Sequence, residues 1–143
     1  MSASNGGAHS AVSAQPLDAD RLQRRVEHPA AGAVVVFHGV VRDLDHGRTV
    51  RELEYVGHPS ADQVLADVVA EFAAEDEVVA VAAEHRVGVL AVGDLALVAA
   101  VSCAHRGAAF DACGRLVDEI KRRLPIWKRQ VFDDGSDEWV NCP

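Results

Sequence analysis

Three short segments of this chain carry residues that can do chemistry. The sharpest is Ser102-Cys103-Ala104-His105-Arg106-Gly107, where an apolar run ends and a helical period begins. A helix start offers unpaired backbone N–H groups and the positive end of the helix dipole. His105 and Arg106 placed there make an anion site, suited to phosphate or carboxylate. The plainer alternative is a solvated arginine beside a hydrogen-bonded histidine. Cys103 lies two residues from His105, so a Cys-His nucleophile pair stands against a buried structural thiol.

The second segment runs from Lys121 to Arg129. Between Arg106 and Arg129 seven Lys or Arg meet three acids, Asp111, Asp118 and Glu119, within a chain of net charge −8. A positive segment in an acidic chain points to an anionic ligand met locally. Lys121 and Lys128 are the chain's only lysines, among 14 basic residues. Lysine can give up its proton and arginine cannot. Lys121, four residues from Val117, is expected at the edge of an apolar helix face, where partial burial would favour the free amine. Arg122 and Arg123 read as helix-end charges that complement the dipole. The third segment, Phe37-His38-Gly39-Val40-Val41-Arg42, carries Arg42 out of an apolar strand into a turn. The other histidines lack the spacing of metal ligands and read as structural or exposed.

The elements that must hold these segments follow from periodicity. Leu17 to Glu27 reads as a short helix ended before His28-Pro29. Ala33 to Val41 is a β-branched run, expected as a largely buried strand. Val50 to Val56 alternates and is expected to pair with it as a hairpin. Ser60 and Gln63 form a capping-box pattern ahead of a helix carrying Val64, Leu65, Val68, Val69 and Phe72. Val78 to Val89 and Leu95 to Cys103 are strands around a Gly93-Asp94 turn. Gly107 to Leu124 is a helix with Phe110, Cys113, Val117, Ile120 and Leu124 on one side, stopped by Pro125. A final hairpin turns at Asp133-Asp134-Gly135. Helices mixed with mainly antiparallel strands place the chain in the α+β class. A Gly-rich phosphate loop in a strand-helix alternation is absent from the sequence.

The 143 residues suit one domain, expected over 17–143 behind a loose Ser/Ala/Gly-rich tail at 1–16. The acidic balance argues against a general nucleic-acid or membrane-surface binder. Three scattered cysteines, no apolar run near the ~20 residues of a membrane helix, and no signal-peptide pattern point to reduced thiols and a cytoplasmic setting.

Together the motifs resemble the large, catalytic subunit of molybdopterin synthase, the MoaE family. The carriers are Phe37-x-Gly39-x-x-Arg42, Leu53-Glu54-Tyr55, His85-Arg86-x-Gly88-x-Leu90-x-x-Gly93-Asp94, Ser102-x-x-His105-Arg106-x-x-Ala109-Phe110 and Lys121-x-x-x-Pro125-x-Trp127-Lys128. They fall in family order from about Leu17 to Val140. The resemblance implies an α/β-hammerhead-like fold with an additional small antiparallel sheet. It implies conversion of precursor Z, a cyclic pyranopterin monophosphate, to the molybdopterin dithiolene. Sulfur would come from the C-terminal thiocarboxylate of a small MoaD-like subunit, in a heterotetramer built on a homodimer. No metal would be needed, since the metal-binding pterin is the product. By matching motif, Lys121 and Lys128 are the catalytic lysines. Arg42, His105 and Arg106 would hold the substrate phosphate, Phe37 would shape the pocket wall, and Val40, Val41, Arg129 and Gln130 would add flanking contacts. Family members often carry a further arginine past the tryptophan-valine pair; here the sequence stops at Asn141-Cys142-Pro143, so either that contact is absent or another arginine such as Arg129 substitutes. The alternatives are a binding module for a ubiquitin-like carrier without turnover, and a phosphate-ester hydrolase using Cys103 and His105.

Overall fold

The computed structural model describes residues 7–142. Two sheets organise them. The first has the order β1 (Ala8–Ser13), β5 (Val78–Arg86), β7 (Leu95–Cys103), β2 (Ala33–Val40). The second is built on β4 (Arg48–Gly57), which pairs on one side with β8 (Ile126–Phe132) and then β9 (Asp137–Cys142). The two-residue β3 (Leu44–Asp45) and β6 (Gly88–Ala91) also pair with β4. Three helices, α1 (Ala19–Val26), α2 (Ala61–Ala73) and α3 (Arg106–Arg123), complete the α+β fold.

β7 is buried along almost its whole length because helices cover both faces of the first sheet. Its odd positions Leu97, Ala99 and Val101 face α2 and α3, while Val98 and Ala100 face Leu22 and Val26 of α1. Alanines at Ala82, Ala83, Ala99 and Ala100 are fully buried and let the helices approach the sheet closely. α1 begins where Asp18 accepts a hydrogen bond from the Arg21 N–H at 3.1 Å.

Local signals placed most elements within two residues of expectation; pairing signals were poorer. β2 and β4 do not form a hairpin. β2 pairs with β7 and lies at the edge of its sheet, so it alternates between half-buried and exposed instead of being largely buried. β4 pairs with β8 in the other sheet. The expected strand at 78–89 breaks at Gly88, whose φ of 101° is a backbone that L side chains rarely adopt. The break sends β5 to one sheet and β6 to the other. Ser60 leaves the helix N–H groups uncapped and turns its hydroxyl onto His58 Nδ1 at 2.8 Å, while Gln63 donates to Asp67. Phe110 is 66% exposed beside the β2 edge; Ala109 and Ala112 take the buried positions expected for it.

The loose tail expected over 1–16 is shorter than its composition suggested. Residues 8–13 form β1, which satisfies the open edge of β5 in parallel register. Asp62 at the start of α2 accepts from the Val12 N–H, and His9 reaches Glu84 at 2.6 Å. The first six residues of that tail lie outside the described residues. No helix among the described residues is long and apolar enough to cross a membrane.

Candidate active site

The two sheets and the C-terminal end of α3 enclose a cavity of about 300 Å³, at the lower limit of small-molecule sites. Its floor comes from Leu97 on β7 and from Phe37 and Gly39 on β2. Gly39 leaves room there: a Cβ would stand 3.1 Å from the Phe37 ring. Backbone bonds between Val41 and the β6–β7 turn anchor the segment that follows β2, with Val41 N–H donating to Asp94 O and Gly93 N–H to Val41 O. That anchoring places Val40, Val41 and Arg42 on the wall. Lys121 projects from the last turn of α3. Lys128 and Gln130 come from β8, where they lie opposite Tyr55 and Leu53 of β4 on one sheet face.

The cavity therefore gathers seven of the ten residues singled out in the sequence: Phe37, Val40, Val41, Arg42, Lys121, Lys128 and Gln130. Lys121 lines the cavity but is itself exposed, so the partial burial expected of it is not what the fold gives it; Lys128 is half-buried. The surrounding arginines are occupied. Arg115 pairs with Glu75 and Asp111, Arg122 with Glu119, and Arg123 with Glu71 and Glu119. Neither lysine has an ion-pair partner within 4.0 Å among the described residues. Of the seven basic residues in the positive segment, Arg106, Lys121 and Lys128 have no ion pair among the described residues, and of these the two lysines line the cavity.

Arg129 departs from expectation. Strand alternation turns it to the face opposite Lys128, where it holds Asp137 at 2.7 Å and Glu54 at 3.7 Å. It does not line the cavity and cannot stand in for a late arginine there. His105 and Arg106 are also elsewhere. They are exposed at the N-terminal end of α3, His105 as its N-cap and Arg106 as its first residue, 16 and 15 residues before Lys121, or about 22–24 Å at 1.5 Å per residue. Cys103 is fully buried in the core and its thiol is pushed up, chiefly by burial. A buried, raised thiol is a poor nucleophile, which removes the basis of the hydrolase reading.

Three polar lining residues, Asp45, Tyr55 and His85, were given no role in the sequence reading. Asp45 is the one carboxylate on the wall. Gln130 donates to it at 2.9 Å, and this bond, with the charges of His46 and Lys128, holds its carboxyl below the usual value against the opposing effect of burial. Arg42 reaches the same carboxylate at 3.9 Å. Tyr55, the chain's single tyrosine, meets the edge of the His85 ring at 5.0 Å between centroids. His85 is 1% exposed and its Nδ1 lies 2.8 Å from the Arg86 carbonyl. Tyr55 and His85 stand in two of the motifs named from the sequence but were given no role there, and period-two alternation along β5 sets His85 on the face of Val81 and Ala83; nothing local marked Asp45.

Burial is the main force holding His85 at a pKa of about 4, with the Lys121 charge acting in the same direction. Between about 4 and 6.5 the unfolded chain takes up a proton that the folded chain refuses. Stability from this residue is therefore full above pH 6.5 and is lost as pH falls toward 4, by up to ~3 kcal/mol. Urea midpoints at pH 7 and pH 5 should differ more for the wild type than for His85→Phe. Equal differences would contradict the assignment.

An open-ended cavity that brings two lysines together with an arginine, in a two-sheet α+β frame, is suited to an anionic small molecule. The chain belongs to the MoaE family, whose model, described as MoaE protein, matches residues 12–123. It is 37% identical over 130 residues to the molybdopterin synthase catalytic subunit of Bacillus subtilis, covering 90% of this chain and 82% of that one. The crystal structure of molybdopterin synthase from Staphylococcus aureus superposes with a TM-score of 0.84 at 30% identity, covering 91% of this chain and 95% of the other. A complex of subunits 1 and 2 of molybdopterin-converting factor from Helicobacter pylori shares the fold at a TM-score of 0.72 and 18% identity, covering 92% and 88%.

Proposed function

We propose that this chain is the catalytic subunit of a molybdopterin synthase. It transfers sulfur from the C-terminal thiocarboxylate of a small MoaD-like subunit to precursor Z, forming the dithiolene of molybdopterin. The observation that carries the reading is that the chain's only two lysines line one cavity with Arg42. Each reactant is anionic: the pterin carries a phosphate and the donor a thiocarboxylate. Arg42 binds such a group, and Asp45 limits where its guanidinium can lie. Lys121 moves the protons that ring opening and sulfur attack require. Lys128, half-buried beside Asp45, stabilises negative charge as it develops. None of these roles calls for a metal.

His105 and Arg106 fit this scheme through a homodimer. Too distant along α3 to reach their own cavity, they serve the cavity of a second copy, with one small subunit on each in a heterotetramer. Mixed subunits test this. Lys121→Ala and His105→Ala chains, each impaired alone, should recover about a quarter of wild-type turnover when co-expressed, since random pairing makes half the dimers mixed and each mixed dimer has one intact cavity. No recovery would contradict the shared site. The overall reading is tested by supplying precursor Z and thiocarboxylated small subunit and measuring dithiolene product; no product from the wild-type chain would overturn it.

A further inference from the structure

The proposed mechanism gives no part to the motif His85-Arg86-x-Gly88-x-Leu90-x-x-Gly93-Asp94. The fold closes its two ends on each other. Arg86, at the end of β5, reaches the β6–β7 turn, where its Nη1 donates to Asp94 Oδ2 at 3.3 Å. The same oxygen accepts from the Ala91 N–H at 2.9 Å, and the Asp94 N–H donates back to the Ala91 carbonyl at 3.0 Å. Asp94 in turn holds the cavity wall. Its carbonyl accepts from the Val41 N–H at 3.0 Å, and the Gly93 N–H donates to the Val41 carbonyl at 2.8 Å. Arg42 follows directly, and one residue further the Asp43 carbonyl accepts from the Val50 N–H at 2.8 Å. The backbone of Arg42 is therefore suspended between two anchors, β4 on one side and the Asp94 turn on the other.

We infer that Arg86 is a positioning residue for Arg42: through Asp94 and Val41 it sets where the Arg42 backbone leaves β2, and so where the Arg42 guanidinium meets an anion in the cavity. Arg86 does not itself line the cavity, so it acts at one remove. Arg42 needs a fixed origin. Its side chain is 80% exposed, and its one acid partner among the described residues, Asp45, stands 3.9 Å away, so its own contacts hold it loosely. Stability alone does not account for Arg86. Its side chain is mostly buried, Asp94 is its one acid partner among the described residues, and its Nε is buried with no hydrogen-bond partner. A buried donor left unpaired costs free energy. What the residue secures in exchange is the place of the turn that holds Val41.

This inference rests on Arg42 binding a substrate anion, so its test has one arm that needs no synthase activity. Amide hydrogen exchange of the full chain reads the anchor directly. In Arg86→Met, which keeps an apolar stem, the amides of Val41 and Gly93 should exchange about 5-fold faster, with those of Val98 to Val101 in β7 unchanged. Arg86→Lys keeps a cationic donor and should recover most of the protection. Unchanged exchange at Val41 and Gly93, or an equal loss along β7, overturns the inference. The second arm uses the reconstituted assay. Arg86→Met should raise KM for precursor Z about 5-fold with kcat nearly unchanged, because ground state and transition state lose the same anion contact. In an Arg42→Ala background the same substitution should move KM by less than about 2-fold. A loss confined to kcat, or an equal KM change in both backgrounds, overturns it. Should the wild-type chain make no product, the synthase reading fails while exchange at Val41 and Gly93 still decides the anchor.

Discussion

Lys121→Ala should reduce dithiolene formation by about 10²- to 10⁴-fold, the range spanned by a positioned proton-transfer group. Because Lys121 is exposed and unpaired among the described residues, its loss should leave the urea midpoint within about 0.5 kcal/mol of wild type. A catalytic collapse without a stability change is the signature to look for. Lys121→Arg then separates two explanations. Arginine keeps the charge and cannot release a proton usefully. If Lys121→Arg retains near-normal turnover, the side chain acts through charge alone and the proton-transfer role is wrong. Lys128→Ala should be a milder lesion in kcat, since Arg42 supplies a second cation on the same wall.

Arg21→Ala should be the costliest single change outside the core. Glu84 is almost wholly buried on the α1 face of the first sheet. Arg21 donates to both of its carboxylate oxygens, at 2.9 and 3.0 Å, and His9 approaches Oε2 at 2.6 Å. Removing the guanidinium leaves a buried carboxylate with one partner. Breaking such a pair costs about 3 kcal/mol, taken at the low end of the usual range because Arg21 itself is partly exposed. Arg24→Ala, an exposed position on the same helix, is the control and should cost less than about 0.5 kcal/mol. Matching denaturation midpoints for the two variants would show that the cluster contributes little. Arg21→Ala should also loosen β1, since Glu84 is what His9 binds; hydrogen exchange at residues 8–13 reads that directly.

The helices were legible in the sequence because their signal is local. Asp18, the apolar period of α2 and α3, and Pro125 all act within a few residues. Strand partners were not legible for the opposite reason. Val50 to Val56 alternates clearly, but alternation identifies a strand and says nothing of what it pairs with. Only the turn at Gly88, together with β8 arriving from 70 residues further on, puts β4 in a different sheet from β2. β1 was hidden for a third reason: Ala8 to Ser13 is small and polar enough to read as a tail, and it is ordered by an edge it meets only in three dimensions. The site was readable to the extent that residue chemistry and family motifs marked it. Lys121, Lys128 and Arg42 meet as their types suggested. Arg129 was misjudged although the information was present, since adjacent strand residues point to opposite faces and Lys128 had already taken the inner one. Asp45 and His85 needed the fold, because their neighbours Gln130 and Lys121 lie 85 and 36 positions away in the chain.

A chain with lysine at two positions, both opening into one cavity, also has an unusual surface toward electrophiles. Most proteins scatter primary amines over their exterior, so an acylating reagent decorates them indiscriminately. Here such a reagent finds, besides the chain's α-amine, only the two ammonium groups of the cavity. Ordinary amine chemistry becomes, for this protein, a site-directed label: occupancy of the cavity could be followed by protection from acylation, without installing a cysteine or an unnatural residue.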